Sequence, residues 1–313
     1  IRGLGLVVRS VLGLQLREER GAEGELWAPG VRKMALLEES GEPIGSVYLD
    51  LLERPGKTPQ AAHFNIRSGR FPSRESGREP QEPAVALVCS FAQNRGLTLS
   101  ELETLFHEFG HALHSLLSRT QYQNLAGLRG SLDSVEVPSH LWQMFATDPR
   151  VYREIAEGHV GGAAAVREAE RSRRLFHAME LQQQVIFSLL DFAVHDSQPY
   201  SPGDPNKILA DLFSRYYPVR LANETRPEAR FGHIVGYGGC YYSYLYARAV
   251  ASELWAAHFL ENPFNRESGE KIRRELLSPG GAVHVGAQFK ALVGGNCLRH
   301  IDGGAVPSFY ALL

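Results

Sequence analysis

Five consecutive residues, His107-Glu108-Phe109-Gly110-His111, place two imidazoles four positions apart with a carboxylate beside the first. On a helix, residues i and i+4 lie one above the other, so both rings can reach a single ion. Glu108 then sits one position round, near a water at that ion but without taking a coordination site. This H-E-x-x-H pattern is that of a zinc peptidase in which the glutamate handles the proton of the attacking water. The same five residues also fit a plain helix that happens to carry two histidines. Phe109 extends an apolar stripe, whereas Gly110 costs a helix about 1 kcal/mol relative to Ala and therefore wants a packing or functional reason.

A catalytic zinc needs a third protein ligand and one open position. No further histidine follows at short spacing, which directs attention to a carboxylate on a following helix. Glu136, within Ser131-Leu132-Asp133-Ser134-Val135-Glu136-Val137-Pro138-Ser139, lies far enough on for the first helix to end, a loop to turn and a second helix to return past the metal. Taken alone, Glu136 reads as an ordinary solvated acid in a helix's first turn. Asp133 has two readings, an acceptor that orients a ligand imidazole or the N-cap of the Glu136 helix. His114 and His140 lack ligand spacing and read as helix-surface or core histidines. Arg129 either contacts substrate or braces its loop.

The elements that must position these groups are legible in outline. Ser100-Glu101-Leu102-Glu103 has the pattern of a capping box and predicts a helix running to about Ser118. Leu102, Leu105, Phe106, Phe109, Leu113 and Leu116 recur on it at helical spacing. A loop with Gly127 and Gly130 follows, then a second helix from about Ser134 to Ala146. Residues 164–195 read as a long amphipathic helix ended by the Pro/Ser/Gly cluster at 197–205, and another helix runs from about Cys240 to Leu260. Upstream, Arg32–Glu38, Ser46–Leu51, His63–Arg67 and Ala84–Phe91 are short, bounded by Gly, Pro or charge, and predict a small twisted sheet. Ser68–Pro83 is a surface loop, and the alternation at Leu12, Leu14, Leu16 and Arg17 ends a helix or leads into a strand. The expected fold is mainly α with a small β-sheet: a sheet-containing lead-in over 1–95, metal-binding helices over 96–160 and a helical substrate-binding part over 161–313.

The 313 residues suffice for a substantial core, and a net charge of −2 gives no electrostatic case for nucleic acid or an anionic membrane surface. No apolar run approaches bilayer length. Cys89, Cys240 and Cys297 are far apart and form no C-x-x-C pair, which favours a reducing compartment. The chain opens at Ile1, so either a targeting segment has been removed or it is a piece of something longer, and the second is the favoured expectation.

His107 to His114 (HEFGHALH) together with Glu136-Val137-Pro138-Ser139 resembles the thimet oligopeptidase family of zinc peptidases, in which the glutamate of this E-x-P-S motif is the third ligand. Tyr48-Leu49-Asp50, the stretch His63 to Arg70 (HFNIRSGR), the stretch Phe231 to Gly239 (FGHIVGYGG) and Tyr241 to Leu245 (YYSYL) are similar to further family segments. The last two, with Arg248-Ala249-Val250-Ala251-Ser252, look most like the family's mitochondrial precursor-processing branch.

The resemblance implies one zinc per chain on His107, His111 and Glu136, Glu108 as the catalytic base, and His233, Tyr237 and Tyr244 against the substrate carbonyl. Tyr241 and Tyr242 are left as packing. It implies the catalytic part of a zincin-like, channel-forming helical metallopeptidase acting on short or unfolded peptides, with a sheet edge able to pair with extended substrate. The mitochondrial branch removes N-terminal octapeptides from imported precursors in the matrix. The competing expectations are a general oligopeptidase, cytoplasmic or organellar, and a catalytically silent zinc-binding fragment. Three departures from the family stand out: Gln143 where relatives carry a Glu, Gly239-Cys240 where the mitochondrial branch tends to have Ala-Arg, and no counterpart of the helical N-terminal half that covers the channel.

Overall fold

The computed structural model describes residues 1–156, 162–195, 204–222, 224–294, 298–301 and 304–312. Most of the 197–205 cluster and Cys297 lie outside them. In chain order the elements are α1 (Arg2–Leu12), β1 (Gln15–Glu19), β2 (Arg32–Leu37), β3 (Pro43–Leu52), β4 (Ala62–Arg67), β5 (Ala84–Phe91), α2 (Leu99–Leu117), α3 (Val137–Thr147), α4 (Pro149–Ile155), α5 (Gly162–His195), α6 (Pro205–Tyr216), α7 (His233–Gly236), α8 (Ser243–His258), α9 (Arg266–Ile272), α10 (Val285–Val293), β6 (Leu298–Ile301) and β7 (Gly304–Pro307). Helix dominates, as expected, with one five-stranded sheet and a separate hairpin of β6 and β7.

The sheet runs β1-β2-β3-β5-β4. All pairs are antiparallel except β3 and β5, which run parallel from Ser46 opposite Ala84 to Leu52 opposite Phe91. The chain therefore leaves β3, makes β4 at the far edge, and returns through β5 between them. Near-continuous burial along β5 fits a strand covered on both faces, while β4 is an exposed edge with Phe64 and Ile66 open to solvent. The stretch around Leu12–Arg17 does both things its sequence allowed, since α1 stops at Gly13 and β1 begins at Gln15.

Helix α2 lies against β5, β4 and the next helix, α3. Its start is two residues earlier than the sequence pattern indicated. Thr98, not Ser100, is the N-cap, and the reciprocal bonds are Glu101 N–H to Thr98 Oγ1 (3.2 Å) and Thr98 N–H to Glu101 Oε2 (2.8 Å). Both S/T-x-x-E registers were available, and Arg95 settles the choice by clamping Glu101 with two bonds of 2.6 and 2.8 Å. Phe106, Phe109, Leu113 and Leu116 are fully buried and join Phe145 of α3, Leu254 of α8 and Phe289 of α10 in the main core. A second, smaller core is made by Ile186 and Leu190 of α5 with Leu209 and Phe213 of α6, and Phe231 and Ile234 pack on it.

Candidate metal centre and substrate wall

The reason for Gly110 is in the α2–α3 crossing. A Cβ at this position would stand 2.7 Å from the Pro138 carbonyl oxygen, 2.7 Å from the Ser139 Cα and 2.9 Å from the Trp142 Cβ. Two of these three are backbone positions of the partner helix and cannot swing away. Glycine thus lets α3 lie directly on α2, and that contact brings Glu136 to the two histidines.

Glu136 occupies the N-cap position of α3, and the residues before it form turns rather than the helix expected from Ser134. Pro138 in the first turn needs no N–H partner there. The Glu136 side chain does not cap its own helix. It turns back, with Oε2 3.2 Å from His107 Nε2 and 3.0 Å from His111 Nε2. The Ser139 hydroxyl lies 2.9 Å from Oε2 and 2.8 Å from the Glu136 carbonyl oxygen, fixing the carboxylate against its own helix turn. Glu136 is 4% exposed. Burial alone would raise its pKa, but the two imidazoles outweigh that and hold the carboxyl well below the usual range. His107 shows the converse: burial opposes its charge, and Glu136 more than compensates, raising it.

Donor atoms of His107, His111 and Glu136 all lie within 4.8 Å of one another, the one such cluster of His, Cys, Asp or Glu among the described residues. Neighbouring ligands on a tetrahedral zinc with bonds of about 2.0–2.1 Å are roughly 3.4 Å apart, close to the separations found here. Two imidazole nitrogens and one carboxylate oxygen are also the donor set of a catalytic rather than a structural zinc site. The residues present fit the ion.

The ligand rings are supported unequally. His107 Nδ1 donates to Gln143 Oε1 at 3.2 Å, which leaves Nε2 with its lone pair toward the metal position. Gln143 Nε2 in turn donates to Glu103 Oε2 at 3.3 Å. An amide, backed by a carboxylate, therefore orients His107. His111 Nδ1 is buried without a partner among the described residues, and so is His63 Nε2 on β4, whose ring centroid is 6.2 Å from that of His111. His140 meets His107 edge-on at 5.2 Å, and His114 is a core residue. Burial holds His63, His114 and His140 neutral, each with its pKa pushed down to about 3.

Asp133 plays neither of its expected roles. It accepts a hydrogen bond from the Ser131 hydroxyl in the turn ahead of α3, touches neither ligand ring, and cannot cap a helix that starts only at Val137. The sequence placed it beside a helix start that the structure moves downstream.

Glu108 is half-buried on α2, its side chain makes no hydrogen bond to another described residue, and its charge acts on both His107 and Tyr237. Tyr237 donates to Glu136 Oε1 at 3.3 Å, which brings the loop after α7 to the metal position. The Tyr237 and Tyr244 rings are 5.4 Å apart, and His233 lies 6.1 and 5.6 Å from them. Burial is the first cause raising the pKa of both tyrosines, followed by the Glu136 charge, so both remain protonated donors. Tyr241 is buried, its hydroxyl on Gln184 Oε1 at 3.0 Å, and Tyr242 stacks on Phe192. The fully buried Asp191 of α5 holds this wall by accepting from the backbone N–H of Gly239 (2.9 Å) and Tyr241 (2.8 Å) and pairing with His195 Nδ1 (2.9 Å). Sequence reading missed Asp191, Glu103 and His63 as members of this assembly. An aspartate in an amphipathic stripe at 164–195, on the apolar side, was the available signal for the first.

A mainly helical chain with an H-E-x-x-H helix, a carboxylate from the next helix and a small flanking sheet has the layout of a metallopeptidase. Comparison with known proteins places it further: residues 1–297 match Peptidase family M3, and the chain belongs to that family. It is 39% identical over 290 residues to the mitochondrial intermediate peptidase of Homo sapiens, covering 90% of this chain and 40% of that protein. With the Arabidopsis thaliana protein of the same name it shares 36% over 322 residues, covering 100% and 45%. The chain thus spans less than half the length of these relatives. Among solved structures, PZ peptidase A with inhibitor 2 has a similar fold, with a TM-score of 0.54 over 78% of this chain and 39% of that one at 16% identity.

Proposed function

We propose that this chain is the catalytic part of a zinc metalloendopeptidase that hydrolyses short or unfolded peptides, and that its substrates are mitochondrial precursor proteins from which it removes N-terminal octapeptides in the matrix. The observation that carries the reading is the convergence of His107, His111 and Glu136 with Glu108 alongside and uncommitted. A structural metal site has no use for that fourth group.

Zinc held by the three ligands would polarise the scissile carbonyl and acidify a water at its open position. Glu108 takes the proton of the attacking water and delivers it to the leaving amine. Tyr237, with His233 and Tyr244 behind it, supplies donors to the charge that develops on the carbonyl oxygen. The open edge of β4 offers backbone groups to an extended peptide. The mitochondrial assignment is supported by the names and identities of the relatives.

The test is turnover of quenched peptides by the complete polypeptide, with chelator and after zinc is restored. Loss and recovery of cleavage are expected, with cuts in precursor-like peptides eight residues from the N-terminus. Bound zinc without turnover would leave a silent binding protein, and indiscriminate cutting of short peptides would leave a general oligopeptidase.

A further inference from the structure

One turn beyond the ligand histidines, a cavity of about 310 Å³ opens beside α2. The turn that leads from Gly127 to Val135 and into Glu136 forms one side, and the Gly280–Val285 turn forms the other. Both sides lie too close for side chains. A Cβ on Gly127, at φ +58°, would stand 2.7 Å from the Ser115 Cα, and one on Gly280 would stand 2.6 Å from the Leu125 carbonyl oxygen.

His114 lines this cavity from the helix face that also carries His107 and His111. It is 7% exposed, and neither ring nitrogen has a hydrogen-bond partner among the described residues. A buried imidazole left unpaired costs stability, so it asks for a ligand. Burial, and after it the nearby His111, keep the ring neutral, with one N–H to donate. Arg129 also lines the cavity, is exposed, and makes no ion pair or hydrogen bond with any described residue. Gln288 is already committed to the Gly280 and Val283 carbonyls. No Asp or Glu lines the space. A free guanidinium and an unpaired imidazole donor, with no acid in the lining, favour an anion over a cation, and Asp133 in the same turn is taken up by the Ser131 hydroxyl.

We propose that this cavity is a substrate subsite for a carboxylate, with Arg129 pairing its charge and His114 donating to it. The proposal rests on the peptidase reading and says which group the peptide must carry. His114 is about 4.5 Å along the helix axis from His111, and a peptide advances roughly 3.3–3.6 Å per residue. The carboxylate therefore belongs to a residue one or two positions from the scissile bond, either an acidic side group or the peptide's own C-terminus.

The experiment uses the complete zinc-loaded polypeptide and a set of quenched peptides in which each position near the cut is Asp or Asn, and each C-terminus is free or amidated. A preference of about tenfold for acid over amide at one position, expressed in KM, is expected from a charge-assisted pair. Arg129→Gln should bring that ratio close to one, and Arg129→Lys should keep part of it. A preference confined to the free C-terminus assigns the terminal carboxylate, and one confined to Asp assigns the side chain. An acid-to-amide ratio near one at all positions, or one that survives Arg129→Gln, overturns the proposal. Anisotropy of the same peptides on the Glu108→Gln variant gives the ratio without turnover. If no peptide is cut, the peptidase reading fails while this binding ratio still decides the subsite.

Discussion

The metal-bearing region and the substrate wall are built on different principles. His107, His111 and Glu136 stand on two successive helices whose contact is set by glycine and whose other faces form the main core. Their geometry follows from close packing, which is stiff. The wall of His233, Tyr237 and Tyr244 rests on the smaller core of α5 and α6, and its loop is tied down by polar bonds to one buried carboxylate, Asp191. His233 is exposed and Tyr237 is half-buried. The contrast teaches that the chain fixes what must hold an ion by burial, and fixes what must meet a variable peptide by a few anchors on a lighter support.

Each region should therefore respond in its own readout. The largest effect is expected from Glu108→Gln, which touches neither scaffold: turnover should fall by about 10²–10⁴-fold while zinc, measured by atomic absorption, stays at one per polypeptide. Gly110→Val strikes the first region. Its branched side chain meets the α3 backbone, so urea unfolding should show a loss on the order of 1–3 kcal/mol together with weaker zinc in a chelator competition. Retained affinity would mean that the α2–α3 contact does not set the ligand geometry. Asp191→Ala strikes the second region and should lower kcat/KM by about tenfold or somewhat more, as for a hydrogen-bonded charged group, at unchanged zinc content. Loss of zinc in that variant would erase the distinction between the regions.

Acid also falls on the first region. His63 on β4, His114 on α2 and His140 on α3 are held neutral with pKa values near 3, against 6.5 for the free side chain. The unfolded chain binds more protons between those values, so stability is lost as pH falls from about 6.5 toward 3. The slope is up to about 1.4 kcal/mol per pH unit for each ring. Urea midpoints collected with chelator present, so that metal and protons do not compete, should drop over this window and level off below it.

What was legible in the sequence is what local pattern encodes. Four sheet strands, the metal helix and its stripe, and the long helix before residue 195 follow from periodicity and from their Gly and Pro boundaries. The E-x-P-S glutamate required a resemblance, because an acid in a first turn looks the same whether or not it faces an ion. Thr98 and Ser100 both satisfy the capping pattern, and only the Arg95 clamp on Glu101 separates them. The β6–β7 hairpin was missed because its strands are four residues each and Gly-flanked. Asp191, His63 and the Glu103–Gln143 pair carry no local mark, since their partners lie far along the sequence or in another element. Asp133 shows the opposite error, a plausible local role cancelled by a shifted helix start.

The relay from His107 through Gln143 to Glu103 has one further consequence. No carboxylate meets this ring directly in that relay: the Glu103 carboxylate stands one side chain outward, with the uncharged Gln143 amide interposed. An amide pulls on a ring proton less than an anion does, so the ligand is a weaker electron donor and a bound cation keeps more of its own charge. With Glu in place of Gln143, a bound cation should be held more tightly and should polarise what meets the open coordination position less strongly.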